Sequence, residues 1–301
     1  MTARTRLDRV FWWAIAGAVT LTALIALTAP ALARFHPLLP DKGSSWYFWQ
    51  LPEPTILARV SSWGLYLLHQ VSLWYLAFRF RREADHHEKP SRLNIAAIAV
   101  NGAFVLLHIL QTQLFYDGLA QDVPVWTIQG SVIAMLVIMI YSLTPRRGLI
   151  LGFKPKFKAR ALSWVRSWHG FYISWAFCYT FWFHPTEGDF GLLTGFFYMF
   201  LLFVQFSFAR TRWHVAIGWL TLLETMVALH GPAIAIQKAM AGNEGDIAGS
   251  FAWRGYHRLF EVTFIPAALY GSTIALAVTA GIVSRLFPGN TVTPIETEKT
   301  A

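Results

Sequence analysis

Long apolar runs that almost lack charged residues alternate with short basic or polar connections along the whole chain. Several of these runs exceed 18 residues, and about 20 helical residues are enough to cross a hydrocarbon core of roughly 30 Å. Only 14% of the 301 residues are charged, whereas a soluble domain of this size carries about a quarter. The pattern predicts an all-α polytopic transmembrane helical bundle, folded as a single integral membrane domain in contact with the lipid bilayer.

The bounds of the apolar runs predict about eight spans. They lie at about 11–33, 55–78, 93–116, 124–143, 163–184, 190–209, 213–235 and 259–284. The first run follows a basic start and ends at "ALA" (31–33), which is also the pattern of a cleaved signal peptide. Its length favours a retained span. The polar residues 287–301 are expected to form a disordered tail.

The basic residues are distributed unevenly over the connections. With the N-terminus inside, the inner segments carry 19 Lys and Arg and the outer segments carry 6. This positive-inside asymmetry predicts that both termini are cytoplasmic and that the chain is a multi-pass protein of the cell inner membrane. It also explains the net charge of +9, so we expect no nucleic-acid partner.

Two spans carry a histidine near each end. Span five has His169 and His184, and span seven has His214 and His230. At 1.5 Å per helical residue, the members of each pair are roughly 22 and 24 Å apart along the helix. Because an imidazole inside a bilayer is costly, such residues tend to mark a site. Paired across the two spans, they could hold one cofactor near each membrane face.

This arrangement of spans five to seven resembles the b-type cytochromes, in which two parallel helices hold two bis-histidine haems. The resemblance implies one or two haem b groups, with His169 and His214 ligating an inner haem and His184 and His230 ligating an outer haem.

Two arginines and a proline bear on the same interpretation. Arg166 and Arg212 lie within a turn of the inner histidines and could contact haem propionates. On a straight helix, the sixteen-residue spacing would turn His214 and His230 about 160° apart. A kink at Pro232 or a π-bulge would be needed to bring them onto one face.

A second set of residues competes for the outer histidines. His108, His184, His230 and His257 are all expected near the outer face, with Glu261 one turn after His257. Four imidazoles and a carboxylate would suit iron, copper or zinc. The local spacings of known metal motifs, such as HExxH, are missing, so depth alone supports this metal site.

Carboxylates and amides add a possible proton or quinone path. Glu224 is expected near mid-membrane, and Glu224 and Glu261 are the candidates for handling protons. One face of span three carries Asn94, Asn101, His108 and Gln111, and this face could hold a quinone or a water chain. Interhelical hydrogen bonding is the alternative for each of these groups.

Three segments, "FYDGLAQDVPVWTIQGSV", "WHGFYISWAFCYTFWFHP" and "GFFYMFLLFVQFSF", resemble a family of multi-span membrane proteins of uncharacterised function. The resemblance covers roughly residues 60–235 and implies the membrane architecture. Some provisional names in that family invoke a serine active site. This chain has no GxSxG elbow, and Ser131 in "QGSV" has no recognisable base beside it in the sequence.

These patterns favour a haem- or metal-binding redox protein that passes electrons across the bilayer, with a quinone or a redox protein as partner. A membrane enzyme that acts on a lipid or isoprenoid, with a metal or a single haem at the outer histidines, is the first alternative. A proton-coupled transporter is the second.

Overall fold

The computed structural model describes residues 3–35, 51, 53–83, 88–115, 118–124, 126–128, 130–135, 138, 159–186, 190–216, 219–220, 222–223 and 226. Its helices are α1 (Ala3–Phe35), α2 (Ile56–Arg82), α3 (Arg92–Phe115), α4 (Ala159–Phe183) and α5 (Phe190–Ser207). Short 3₁₀ turns occupy Leu119–Gln121 and Arg212–Val215. These described residues contain no strand, which confirms the all-α class for this part of the chain. Spans seven and eight and the tail lie mostly or wholly outside the described residues.

Local side-chain chemistry sets where α2 and α3 begin. Thr55 lies just before α2 in an extended conformation, and its hydroxyl accepts a hydrogen bond from the Ala58 amide at 3.1 Å. Ser91 and Asn94 form a reciprocal cap at the start of α3: the Ser91 amide donates to Asn94 Oδ1, and the Asn94 amide donates to Ser91 Oγ. Both arrangements satisfy amide groups that the first turn of a helix leaves without partners.

Most neighbouring helices are antiparallel, and α1 and α3 run parallel to each other. α2 lies against α3 and α4, α5 lies against α1, α3 and α4, and α1 also contacts α3. We call the end where α2 and α5 end and α3 begins the Arg79 end. The opposite end, where α3 and α4 end and α2 begins, is the His184 end. Asn94 fixes the Arg79 end, since its side-chain amide donates to the carbonyls of Ser207, the last residue of α5, and of Ala209 just beyond it.

The bundle has a mainly apolar core that also contains polar side chains, and it exposes large apolar side chains on its outer faces. The interior holds fully or nearly fully buried polar side chains on α2 and α3, namely Ser62, His69, Gln70, Asn94, Asn101, His108, Gln111 and Thr112. The outer faces of the same helices expose large apolar side chains, including Val60, Leu68, Val71, Leu106, Leu110 and Leu114.

Among the described residues, two helical segments are long and apolar enough to cross a membrane, Arg9–Ala29 and Arg92–Phe115. The first lies near the N-terminus, where a signal sequence has the same properties, and the second is partly buried inside the bundle.

Candidate functional site

The histidines that the sequence singled out fall in different environments. His169 lies in the first half of α4, and His184 follows the end of that helix. His108 lies on α3, and His214 lies beyond α5. His230, His257, Glu224 and Glu261 lie outside the described residues. The pairing of His184 with His230 and the four-histidine cluster therefore stay predictions.

His108 and His184 meet at the His184 end. The Nε2 atom of His108 lies 2.9 Å from the backbone carbonyl oxygen of His184. A carbonyl oxygen only accepts, so Nε2 carries the proton and Nδ1 of His108 carries the lone pair. The His108 side chain is fully buried, and it packs against the rings of Phe181 and Trp182 at 4.6 and 4.3 Å between centroids.

His184 has a comparable arrangement around its own ring. Its Nδ1 lies 2.9 Å from the Thr180 carbonyl oxygen one turn earlier, so Nδ1 donates and the tautomer leaves the lone pair on Nε2. A ring nitrogen that donates to a backbone carbonyl fixes both the tautomer and the ring orientation. Histidines that bind metals generally show this second interaction.

Several buried polar atoms around these two histidines lack partners. Nδ1 of His108 and Oε1 of Gln111 have no hydrogen-bond partner within the described part of the chain, and neither does the hydroxyl of Thr186. Thr112 links this group, since its hydroxyl donates to the His108 carbonyl and accepts a long contact of 3.4 Å from the Thr186 amide. An unpaired polar group in a buried position is costly, so this cluster is suited to a polar ligand atom.

Gly118 packs against the backbone at the end of α4, at the His184 end of the bundle. A Cβ atom at this position would lie 2.5 Å from the carbonyl oxygen of Phe183 and 3.1 Å from the carbonyl carbon of His184. The backbone before the 3₁₀ turn therefore packs directly on the last carbonyls of α4. Sequence reasoning did not identify Gly118, because its neighbour in space is about 65 residues away along the chain.

His214 does not lie on a regular α-helix. It belongs to the 3₁₀ turn Arg212–Val215, and Ala216 after it is extended. The expected angle of about 160° between His214 and His230 assumed one straight α-helix. It does not apply to His214, because His214 lies in a 3₁₀ turn. His214 Nδ1 lies 3.1 Å from the Gln205 carbonyl oxygen, so this ring also donates through Nδ1.

The two arginines expected at the inner haem are only partly described. Arg212 is half-buried and its guanidinium carbon lies 5.3 Å from the Trp213 ring centre. Arg166 lies on α4, but its side chain is outside the described residues. His214 follows α5 and His169 lies in the first half of the antiparallel α4, so both lie toward the Arg79 end.

His69 is a different kind of buried histidine. The Trp182 indole donates to its Nδ1 at 3.1 Å, so its Nε2 carries the proton and donates to Asn101 Oδ1 at 3.0 Å. Asn101 in turn donates to the Ser207 hydroxyl at 2.8 Å. Both ring nitrogens are occupied, and this chain of bonds joins α4, α2, α3 and α5. His69 is therefore a structural histidine.

Ser131 has a local partner. Its hydroxyl donates to the Ile128 carbonyl at 2.8 Å, and the residue is buried. This is the usual bond of a helical serine to its preceding turn and provides no base for a nucleophile.

No group of three or more His, Cys, Asp or Glu side chains that could hold a metal ion occurs among the described residues. Comparison with protein-family models, with curated proteins and with solved structures finds no match to this chain.

Proposed function

We propose that this chain is an integral membrane redox protein that binds a haem or a metal ion through histidine side chains. The membrane location is supported by the exposed apolar faces of α2 and α3, which surround a core that contains buried polar side chains. Val71 and Leu110, for example, are 60% and 54% exposed, whereas His69 and His108 are completely buried. In lipid this distribution is favourable, because the exposed apolar side chains contact hydrocarbon and pairs such as His69 and Asn101 hydrogen-bond to each other inside the bundle.

The observation that carries the redox proposal is the state of the imidazoles at the His184 end. His108 and His184 each donate a hydrogen bond from one ring N–H to a backbone carbonyl, so the other ring nitrogen carries the lone pair. Nδ1 of His108 is buried and has no partner in the described part of the chain. This is the electronic state and the support that a ligating histidine needs. His69, with both nitrogens bonded, contrasts with His108 in the same bundle.

His214 extends the same argument to the Arg79 end. Its Nδ1 donates to the Gln205 carbonyl, so its lone pair is also on Nε2. A haem, an iron ion or a copper ion held by such residues would supply one-electron transfer. The role of the chain is to hold the imidazoles in one tautomer and to exclude water from the group.

The test is an absorption spectrum of the detergent-purified full chain, oxidised and then reduced with dithionite, with iron, copper and zinc measured on the same sample. A Soret band with a reduced α-band identifies haem, and stoichiometric iron or copper without these bands identifies a redox metal site, whereas zinc alone would contradict the redox proposal. Protein expressed with haem and metals supplied that shows neither would contradict the redox proposal.

Alanine substitutions assign the ligands. His184→Ala and His108→Ala are expected to remove at least half of the bound haem or metal, because each provides a lone pair at the His184 end. His214→Ala should remove only a second haem or metal, bound at the Arg79 end. The spectrum of the group at the His184 end should stay unchanged. A folded His184→Ala protein with full cofactor content would rule out this site.

One observation favours a second candidate function, an enzyme that acts on a lipid or isoprenoid alcohol. Nδ1 of His108 and Oε1 of Gln111 are buried acceptors, and the Thr186 hydroxyl is buried beside them. A ligand hydroxyl, including that of a quinol, could donate to these atoms. A protein that binds a hydroxylated isoprenoid but contains neither haem nor metal would favour this alternative.

A further inference from the structure

A cluster of exposed arginines ends α2. Arg79, Arg81 and Arg82 occupy the last turn of this helix, and all three side chains are exposed. None of them forms an ion pair with a carboxylate within the part of the chain that the structure describes. Arg59, near the opposite end of α2, does form an ion pair, since its Nε lies 2.7 Å from Asp122 Oδ1.

Aromatic rings hold two of these guanidinium groups in place, those of Arg81 and Arg82. Arg81 lies over the Trp168 ring of α4, with 4.5 Å between the guanidinium carbon and the ring centre. Arg82 lies over its own helix neighbour Phe78 at 4.1 Å. Such contacts leave the N–H groups at the edge of each guanidinium available to an anion. They also restrict the side chains before a ligand binds.

An apolar stripe continues from the arginines along the outside of α2. Val71, Tyr75 and Phe78 recur at helical spacing below Arg82, and they are 60%, 56% and 41% exposed. The stripe extends roughly 16 Å from Val71 to Arg82 at 1.5 Å per residue. Trp74 fixes the neighbouring α4, because its indole donates to the Phe171 carbonyl at 3.2 Å.

We propose that the α2–α4 edge at the Arg79 end is a binding site for an anionic phospholipid. The headgroup phosphate contacts Arg81 and Arg82, and an acyl chain lies along the stripe of Phe78, Tyr75 and Val71. Guanidinium groups suit phosphate because their donors match its oxygens in pairs. An acidic protein would explain the arginines but not an apolar stripe that runs toward the middle of the helix. This inference rests on the proposed membrane location and is independent of the cofactor.

The experiment is native mass spectrometry of the full chain in detergent, titrated with short-chain phosphatidylglycerol or phosphatidylcholine. We expect phosphatidylglycerol to bind more tightly to the wild type. A basic residue near an anionic surface contributes about fivefold in affinity, so the Arg81→Gln/Arg82→Gln double variant should bind about 30-fold more weakly. Arg82→Lys should keep most of the affinity, since it retains the charge.

Arg59→Gln is the matched control, because it removes the same charge from the other end of the same helix. Equal weakening by Arg59→Gln and by Arg82→Gln would overturn the site, and so would equal binding of the two lipids. Displacement of phosphatidylglycerol by inorganic phosphate at the same phosphate concentration would also overturn it, since the acyl contact would then contribute nothing. Thermal unfolding in phosphatidylcholine checks that the variants are folded.

The redox proposal is monitored in the same samples. A double variant that loses the lipid but keeps its haem or metal separates the two proposals. A wild type that fails to enter phosphatidylcholine liposomes would overturn the membrane location and this lipid site together. A wild type that enters them without a cofactor would contradict only the redox proposal.

Discussion

His69→Ala is expected to lower the free energy of unfolding by about 3 kcal/mol or more. The substitution removes the acceptor of the Trp182 indole and the donor to Asn101, both inside the bundle. It also opens a cavity between the rings of Phe104 and Phe203, which lie 4.5 and 5.2 Å from the imidazole centre. Thermal unfolding of the detergent-solubilised protein, followed by far-UV circular dichroism, measures the loss.

A second substitution separates packing from hydrogen bonding. His69→Phe keeps a flat ring between Phe104 and Phe203 but removes both hydrogen bonds, so we expect it to be less destabilising than alanine. Both variants should keep the haem or metal of any folded fraction, because both nitrogens of His69 are already engaged. A His69→Ala protein of normal stability that has lost its cofactor would show that the structural assignment is wrong.

Gly118→Ala is expected to lower the free energy of unfolding by about 1–3 kcal/mol and to weaken the cofactor site. The added methyl group would lie 2.5 Å from the Phe183 carbonyl oxygen, which belongs to the backbone and cannot rotate away. Either the segment before the 3₁₀ turn or the end of α4 must then move, and we expect the strain to reach the end of α4. That displacement changes the His184 carbonyl to which His108 donates.

Gly64→Ala and Gly102→Ala are the matched controls. Both glycines lie inside helices, and an added Cβ at either position has no other atom within 4 Å. These variants are expected to be neutral or slightly stabilising, because alanine is favoured over glycine by up to about 1 kcal/mol in a helix. Thermal unfolding and cofactor content should be compared across all three proteins. Equal midpoints for Gly118→Ala and Gly102→Ala would contradict the close contact.

The histidines show how much of the candidate site the sequence predicts. Depth along an apolar run placed His108 and His184 at the same end of the bundle, and the structure brings them together through a backbone carbonyl. The sequence assigned no role to His69. Whether a buried imidazole is structural depends on partners from other helices, here Trp182 and Asn101. His214 was expected on a continuous helix, but the turn beyond α5 is a 3₁₀ turn.

The sequence by itself determined the helical class and the alternation of apolar runs and basic connections. It also specified local caps such as Ser91 with Asn94, since these depend on residues within one turn. Only the tertiary structure decided which imidazole nitrogens carry lone pairs, why position 118 requires a glycine and that Arg59 pairs with Asp122. Hydrogen bonds and steric contacts act over about 3 Å. They therefore depend on how each helix is rotated against its neighbours, which spacing along one chain does not reveal.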